Sequence, residues 1–140
     1  AGAITRLTEM GVEPFLVASS VDCVLAQRLA RRLCKECKEE YKPSRQMLLD
    51  AGYREDSLPE RLWRAKGCKK CGGTGYRGRL GVHEVMLVSE QIGELTVREA
   101  TAEVIRDVAC EEGMLTLKQD GLEKCRVGDT SVEEIARVIV

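Results

Sequence analysis

Residues 24–41, VLAQRLARRLCKECKEEY, decide how this chain is to be divided. Leu25, Leu29 and Leu33 recur at the spacing of one helix face, while the length of the run and the break after it suit a strand equally well. The break is Cys34-Lys-Glu-Cys37, and thirty residues further on Cys68-Lys-Lys-Cys71 repeats it. Two intervening residues let both sulfurs of a pair face one ion from a tight turn. Two such pairs supply the four thiolates of a closed structural zinc site. Iron is the chemical alternative, because tetrahedral sulfur does not choose between the two metals. A redox dithiol would explain one pair but not two. Four sulfurs also fill the coordination shell, so the spacing argues against a catalytic metal with an open position.

The composition agrees with a folded, non-secreted chain. Of 140 residues, 44% are apolar and 32% charged, which is globular rather than disordered. Aromatics are only 4%, so the core must be built from Leu, Val, Ile and Ala. No apolar run approaches the roughly 20 residues of a membrane span. Nothing at the start resembles a basic segment followed by an apolar core, so no leader is expected, and a chain starting at Ala1 reads as a piece of a longer protein. Seven cysteines without a secretory signal favour metal over disulfides. Charge is uneven: residues 1–80 hold sixteen basic and ten acidic side chains, residues 81–140 six and thirteen. Around the cysteines, Lys35, Lys38, Lys69, Lys70 and Arg77 can offset the negative charge of a metal tetrathiolate. The other use for a basic half is a nucleic-acid surface, but Trp63, Tyr41, Tyr53 and Tyr76 are scattered rather than interleaved with the charges.

Elsewhere the pattern predicts mostly helices. Ile4, Leu7 and Met10 form a stripe that ends near Gly11, and Pro14 opens a second short apolar segment. A helix is expected after Ser44, stopped by Gly52, and another from Ser57 with Pro59 in its first turn and Glu60 at the capping-box position. Residues 71–81, rich in glycine, read as a turn, and Val82–Val88 as a strand. Thr96 with Glu99 is expected to cap a helix that Gly113 ends. Another helix is expected to end near Gly128, and Ser131 with Glu134 to cap the last. His83, the only histidine, is expected to be structural; Cys23, Cys110 and Cys125 read as small buried apolar residues. The chain has no Gly-x-x-x-x-Gly-Lys-Ser/Thr loop, no Gly-x-Ser-x-Gly elbow and no His-Glu-x-x-His.

Taken together, four stretches resemble the C-terminal part of the type II secretion and type IV pilus assembly ATPases. AGAITRLTEMGVEPFLVASSV is similar to the segment after that family's histidine-containing nucleotide-site motif. AQRLARRLCKECKEEY resembles its Gln-Arg-Leu-x-Arg-x-Leu-Cys-x-x-Cys signature. GCKKCGGTGYRGRLGVHEVM resembles the second half of its tetracysteine region, and EEGMLTLKQDGLEKCRVGDTSVEEIARV its terminal helices. CKKCGGTG (68–75) also fits one repeat of the DnaJ-type zinc domain, but that family uses four and CKECKEEY (34–41) lacks the glycines.

The resemblance implies an α+β chain, the C-terminal fragment of a RecA-like α/β domain. Residues 1–33 would be the end of that domain, with 24–33 a strand. Residues 34–81 would be a zinc-binding insertion holding the metal on Cys34, Cys37, Cys68 and Cys71. Residues 82–95 would be an edge strand and connector, and 96–140 a C-terminal helical subdomain; apart from the resemblance, the two capping boxes and three apolar faces of 96–140 predict that its helices persist largely independent of the metal. The resemblance further implies a parent that is a cytoplasmic homo-hexameric ATPase at the bacterial inner membrane, working with secretion or pilus platform proteins. ATP and magnesium would bind upstream, leaving no catalytic residue in this chain. A zinc-ribbon nucleic-acid-binding module is the alternative.

Overall fold

The computed structural model describes residues 1–139. The expected mixture of helices and small sheets is present, and the chain divides into two compact units. The first takes Ala1–Ala26 and Glu84–Thr116, the second Gln27–His83 and the segment from Leu117 onward.

The first unit is mainly helical, with the start of one strand and the end of another. Helix α1 (Gly2–Glu9) buries Ile4, and α2 (Pro14–Ser20) starts with its proline in the first turn, where no backbone N–H is needed. Helices α4 (Glu90–Val97) and α5 (Ala102–Glu111) complete it. Ile4, Val17, Met86, Ile92, Ile105 and Met114 form its core.

One expectation fails in this unit. Helix α4 takes up the connector after the strand that ends at Leu87, and Ser89 caps it by accepting the Ile92 N–H. Thr96 is not a cap: it is buried in the last turn of α4, where its hydroxyl donates to the Ile92 carbonyl at 2.8 Å. Glu99 then takes a left-handed conformation (φ 53°), so the chain turns before α5 can begin. The cap of α5 is Thr101, whose Oγ1 accepts the Val104 N–H.

Residues 24–33 are strand: β1 runs Cys23–Leu33 and pairs with β4 (Tyr76–Leu87). The four-cysteine region lies between these two partners in the sequence. Strand β4 starts six residues before Val82 and so takes in part of the glycine-rich stretch expected to be a turn. The helical spacing of Leu25 and Leu29 was misleading, since both are exposed on β1 while Ala30 and Leu33 are buried.

In the second unit, short strands β2 (Glu39–Tyr41) and β3 (Leu62–Arg64) pair antiparallel, Glu40 opposite Trp63. Helix α3 (Arg45–Ala51) has the predicted Ser44 cap and left-handed Gly52 stop. No helix starts at Ser57. A 3-10 turn, Glu55–Ser57, comes before it, and Leu58 is extended (ψ 129°), as a residue preceding proline must tend to be.

Helices α6 (Leu117–Arg126) and α7 (Val132–Val138) close this unit. Their Leu122, Cys125 and Ile135 share one core with Leu48, Tyr53 and Leu62 of the cysteine region and Ala30, Leu80 and Val82 of the strands. Inside it the Tyr53 hydroxyl donates to the Leu122 carbonyl at 2.9 Å. The expectation that the terminal helices stand independent of the cysteine region does not fit this packing.

Candidate metal centre

The first cysteine pair sits where β1 ends. Cys34 is buried, and its carbonyl accepts the N–H groups of Cys37 (3.2 Å) and Lys38 (2.9 Å), folding residues 34–38 into one turn. The second pair sits on the 3-10 turn Lys69–Cys71, capped by left-handed Gly72. Here the Cys68 carbonyl accepts from Cys71 (3.2 Å) and Gly73 (2.9 Å). The Cys34 N–H donates to the Gly75 carbonyl at 2.9 Å and joins the two turns.

Two glycines are required by space as well as conformation. Gly75 (φ 77°) has no room for a Cβ, which would stand 2.5 Å from that of Ala65; a Cβ on Gly67 (φ 101°) would stand 2.3 Å from the Gly73 oxygen.

The turns bring the sulfurs of Cys34, Cys37, Cys68 and Cys71 within 4.8 Å of one another. Cys34 to Cys68 and Cys37 to Cys71 are each 3.9 Å, and Cys68 to Cys71 is 3.7 Å. A tetrahedron with metal–sulfur bonds of about 2.3 Å has edges of about 3.8 Å. The donor set therefore fits a tetrahedral thiophilic ion in both chemistry and size.

Backbone amides prepare the second pair for negative charge. The N–H groups of Cys68 and Gly75 both donate to the Cys71 sulfur at 3.2 Å. Burial works to raise the Cys71 thiol pKa, but these two donors, with the Cys68 and Cys37 thiols, outweigh it and bring it down to about 6. Cys37 goes the other way. Burial, aided by the crowding Cys68, Cys34 and Cys71 sulfurs, pushes it up to about 12 against one backbone donor, Gly67. Four clustered thiols cannot all ionise unaided, and a bound cation reverses that.

Two of the nearby lysines have other partners: Lys70 pairs with Glu36 at 3.1 Å, and Lys38 donates to the Gly128 carbonyl at 2.7 Å. His83 is exposed on β4, its backbone N–H donating to Asp120 at 2.8 Å, and is not part of the ligand cluster. Cys125 is buried as expected and Cys110 partly so, but Cys23 is exposed at the start of β1.

One polar cluster was not foreseen. Glu134 is buried, and its carboxylate accepts from the Arg31 backbone N–H (2.9 Å) and from the guanidinium groups of Arg31 (2.7 Å) and Arg137 (2.6 Å). Burial alone would raise its pKa; the hydrogen bonds of Arg137 and Arg31 prevail and hold it down to about 2. The sequence presented Glu134 only as a capping-box residue, and nothing in the spacing pointed 103 residues back to Arg31.

Comparison with known proteins places this geometry. Residues 1–137 match the family model described as "Type II/IV secretion system protein". A type IV pilus assembly ATPase PilB of Thermus thermophilus is 45% identical over 99% of the chain, which covers 16% of that protein. A type II secretion system ATPase E of Vibrio cholerae is 46% identical over 98% of the chain and 27% of its own length. Pseudomonas aeruginosa HxcR, a type II secretion system protein, is 42% identical over 97% of the chain, which covers 25% of it. The chain thus spans about a sixth to a quarter of these relatives. With the match running through both cysteine pairs and nearly to the last residue, the chain belongs to the type II/IV secretion system protein family.

Proposed function

We propose that this chain is the metal-binding C-terminal portion of a motor ATPase that drives type II secretion or type IV pilus assembly. In this reading Cys34, Cys37, Cys68 and Cys71 hold one structural zinc ion. The nucleotide and its magnesium bind to residues outside this chain. The parent works as a homo-hexamer on the cytoplasmic side of the inner membrane, against platform proteins of the secretion or pilus system. Residues 34–81 act as the inserted zinc module, and the part before Cys34 as the end of a RecA-like domain.

The observation that carries the reading is a four-sulfur cluster of tetrahedral size inside a chain aligned almost end to end with secretion and pilus ATPases. Surface chemistry supports the idea of a part within something larger. Among the described residues, ten of the twelve large apolar side chains left exposed are in the first unit, including Met10 (73%), Phe15 (69%) and Leu87 (69%). So many are more than an isolated domain usually presents. Among the described residues, no helix is long and apolar enough to cross a membrane.

The nucleic-acid alternative has less support, because many cations of the cysteine region are already paired. Arg61 pairs with Glu40, Arg64 and Lys66 with Glu39, and Lys70 with Glu36.

Elemental analysis of the purified chain tests the metal: one zinc per chain is expected, and iron or no metal with all thiols free would refute it. A turnover assay tests the division of labour. The chain alone should not hydrolyse ATP above a buffer blank, and turnover abolished by a substitution within residues 1–139 would refute that assignment. Steep salt-dependent binding to DNA would favour the alternative.

A further inference from the structure

The loop between α6 and α7 is gripped from both sides of the first cysteine turn. Just before Cys34, the Leu33 N–H donates to the Asp129 carbonyl at 2.9 Å, and the Arg31 carbonyl accepts from Thr130 Oγ1 at 2.9 Å. Just after Cys37, Lys38 donates to the Gly128 carbonyl while its ammonium stands 5.2 Å from the centre of the Trp63 ring. The second cysteine turn adds its own hold: Tyr76, next to Gly75, has its hydroxyl 2.7 Å from Ser131 Oγ and its ring under the Arg31 guanidinium at 4.2 Å. Residues 128, 129, 130 and 131 are thus each held by a residue close in sequence to one of the cysteines. The grips come from two separate turns, which the Cys34–Gly75 backbone bond and the β1–β4 pairing already tie together and which a metal on the four sulfurs would lock.

We propose that the metal centre pins a clasp on the α6–α7 loop. Occupancy of the four-cysteine site sets whether residues 128–131 and α7 are docked, and Thr130 and Glu134 are positioning residues through which docking and metal binding are coupled. The proposal rests on the reading that these cysteines hold a metal.

Coupling of this kind is reciprocal. If the metal tightens docking by some factor, docking tightens the metal by the same factor. The sign separates the clasp from plain electrostatics. Glu134→Gln removes a negative charge from the unit that holds an anionic metal–thiolate centre, so charge alone predicts unchanged or tighter metal binding. The clasp predicts weaker binding.

The test uses the whole chain loaded with zinc, its stoichiometry measured first. Affinity is then read by competition with a chromophoric chelator in the unsubstituted protein, Glu134→Gln and Thr130→Val. Thr130→Val is neutral and nearly isosteric, and keeps the test alive should Glu134→Gln fail to fold. Expected are a loss of about ten-fold in zinc affinity for Glu134→Gln and about five-fold for Thr130→Val, within the usual range of coupling between sites. Zinc removal from the unsubstituted chain should speed hydrogen exchange in residues 128–139 and shift the emission of Trp63, the only tryptophan. Exchange in α4 and α5 should not change.

One zinc per chain, with unchanged exchange in residues 128–139 on its removal, overturns the clasp and leaves the metal reading standing. So does unsubstituted affinity in the folded variants. Failure to bind zinc at all overturns both, and the stoichiometry measurement tells the two failures apart.

Discussion

Replacing Glu134 with glutamine should be the most costly single change of charge in the second unit at neutral pH. The carboxylate is wholly shielded, with 0% side-chain exposure, whereas its partners Arg31 and Arg137 are 46% and 58% exposed. Its pKa falls to about 2 from an ordinary 4.5. At about 1.4 kcal/mol per pKa unit, that gap corresponds to about 3 kcal/mol of stability held by the charged form. The arginines are half in water and solvent screens them, so about 2 kcal/mol is the better figure. A depressed carboxylate pKa contributes stability that is full above the unfolded pKa and is lost as pH falls from about 4.5 through about 2. The difference between the parent chain and Glu134→Gln should therefore be about 2 kcal/mol at pH 7 and less than half of that at pH 3. Denaturant unfolding followed by Trp63 fluorescence reads it, since the only tryptophan lies in the same unit. Both proteins are compared metal-free at every pH, because the clasp predicts unequal zinc affinity and bound metal would not cancel in the difference. A variant within about 0.5 kcal/mol of the parent at pH 7 would refute the reasoning. So would a gap that stays constant down to pH 3.

Three further changes probe other parts of the argument. Gly75→Ala must place a Cβ against Ala65 at a positive φ, and should cost on the order of 1–3 kcal/mol and release metal sooner during dialysis against a weak chelator. Tyr53→Phe leaves the Leu122 carbonyl without its buried donor and should lower stability by about 1 kcal/mol, read as a shift in the Trp63-detected midpoint. Thr101→Ala removes the cap of α5 and should cost about 1 kcal/mol in the first unit; faster exchange in residues 102–111 with zinc affinity unchanged is the expected pair of results.

The cysteine cluster was legible in the sequence because metal geometry is written in local spacing: two residues between sulfurs make a turn, and two turns make a tetrahedron. Caps and glycine stops were legible where the signal was unopposed, as at Ser44, Gly52 and Ser131. Where two local signals competed, tertiary burial chose. Thr96 and Glu99 satisfied the capping-box pattern, but the core needed Thr96 beside Ile92 in the last turn of α4. Leu25 and Leu29 kept helical spacing, but strand pairing left both facing outward. A helix from Ser57 required Leu58 to be helical ahead of Pro59, which the proline ring disfavours. The Arg31–Glu134 contact was not legible at all, because an ion pair between residues so far apart in sequence leaves no mark in local spacing.

The charge asymmetry of the sequence also takes on a different meaning once the units are known. Divided by structure, the first unit carries three basic and eleven acidic side chains and the second nineteen and twelve. The basic excess therefore belongs to the unit that contains the four cysteines. Part of it is spent locally: Glu36, Glu39 and Glu40 each face a lysine or arginine of the same region, and Arg31 and Arg137 neutralise Glu134. A divalent ion on four thiolates adds a formal charge of about −2 to this unit. Its surplus of cations is then the environment that an anionic centre needs, and the amides on Cys71 are its nearest members. On this view the basic character follows from holding the metal. It predicts that substitutions of unpaired lysines near the cysteines, such as Lys35→Gln and Lys69→Gln together, weaken zinc binding by a factor that shrinks as salt is raised. Loss of affinity independent of ionic strength would assign those lysines another role.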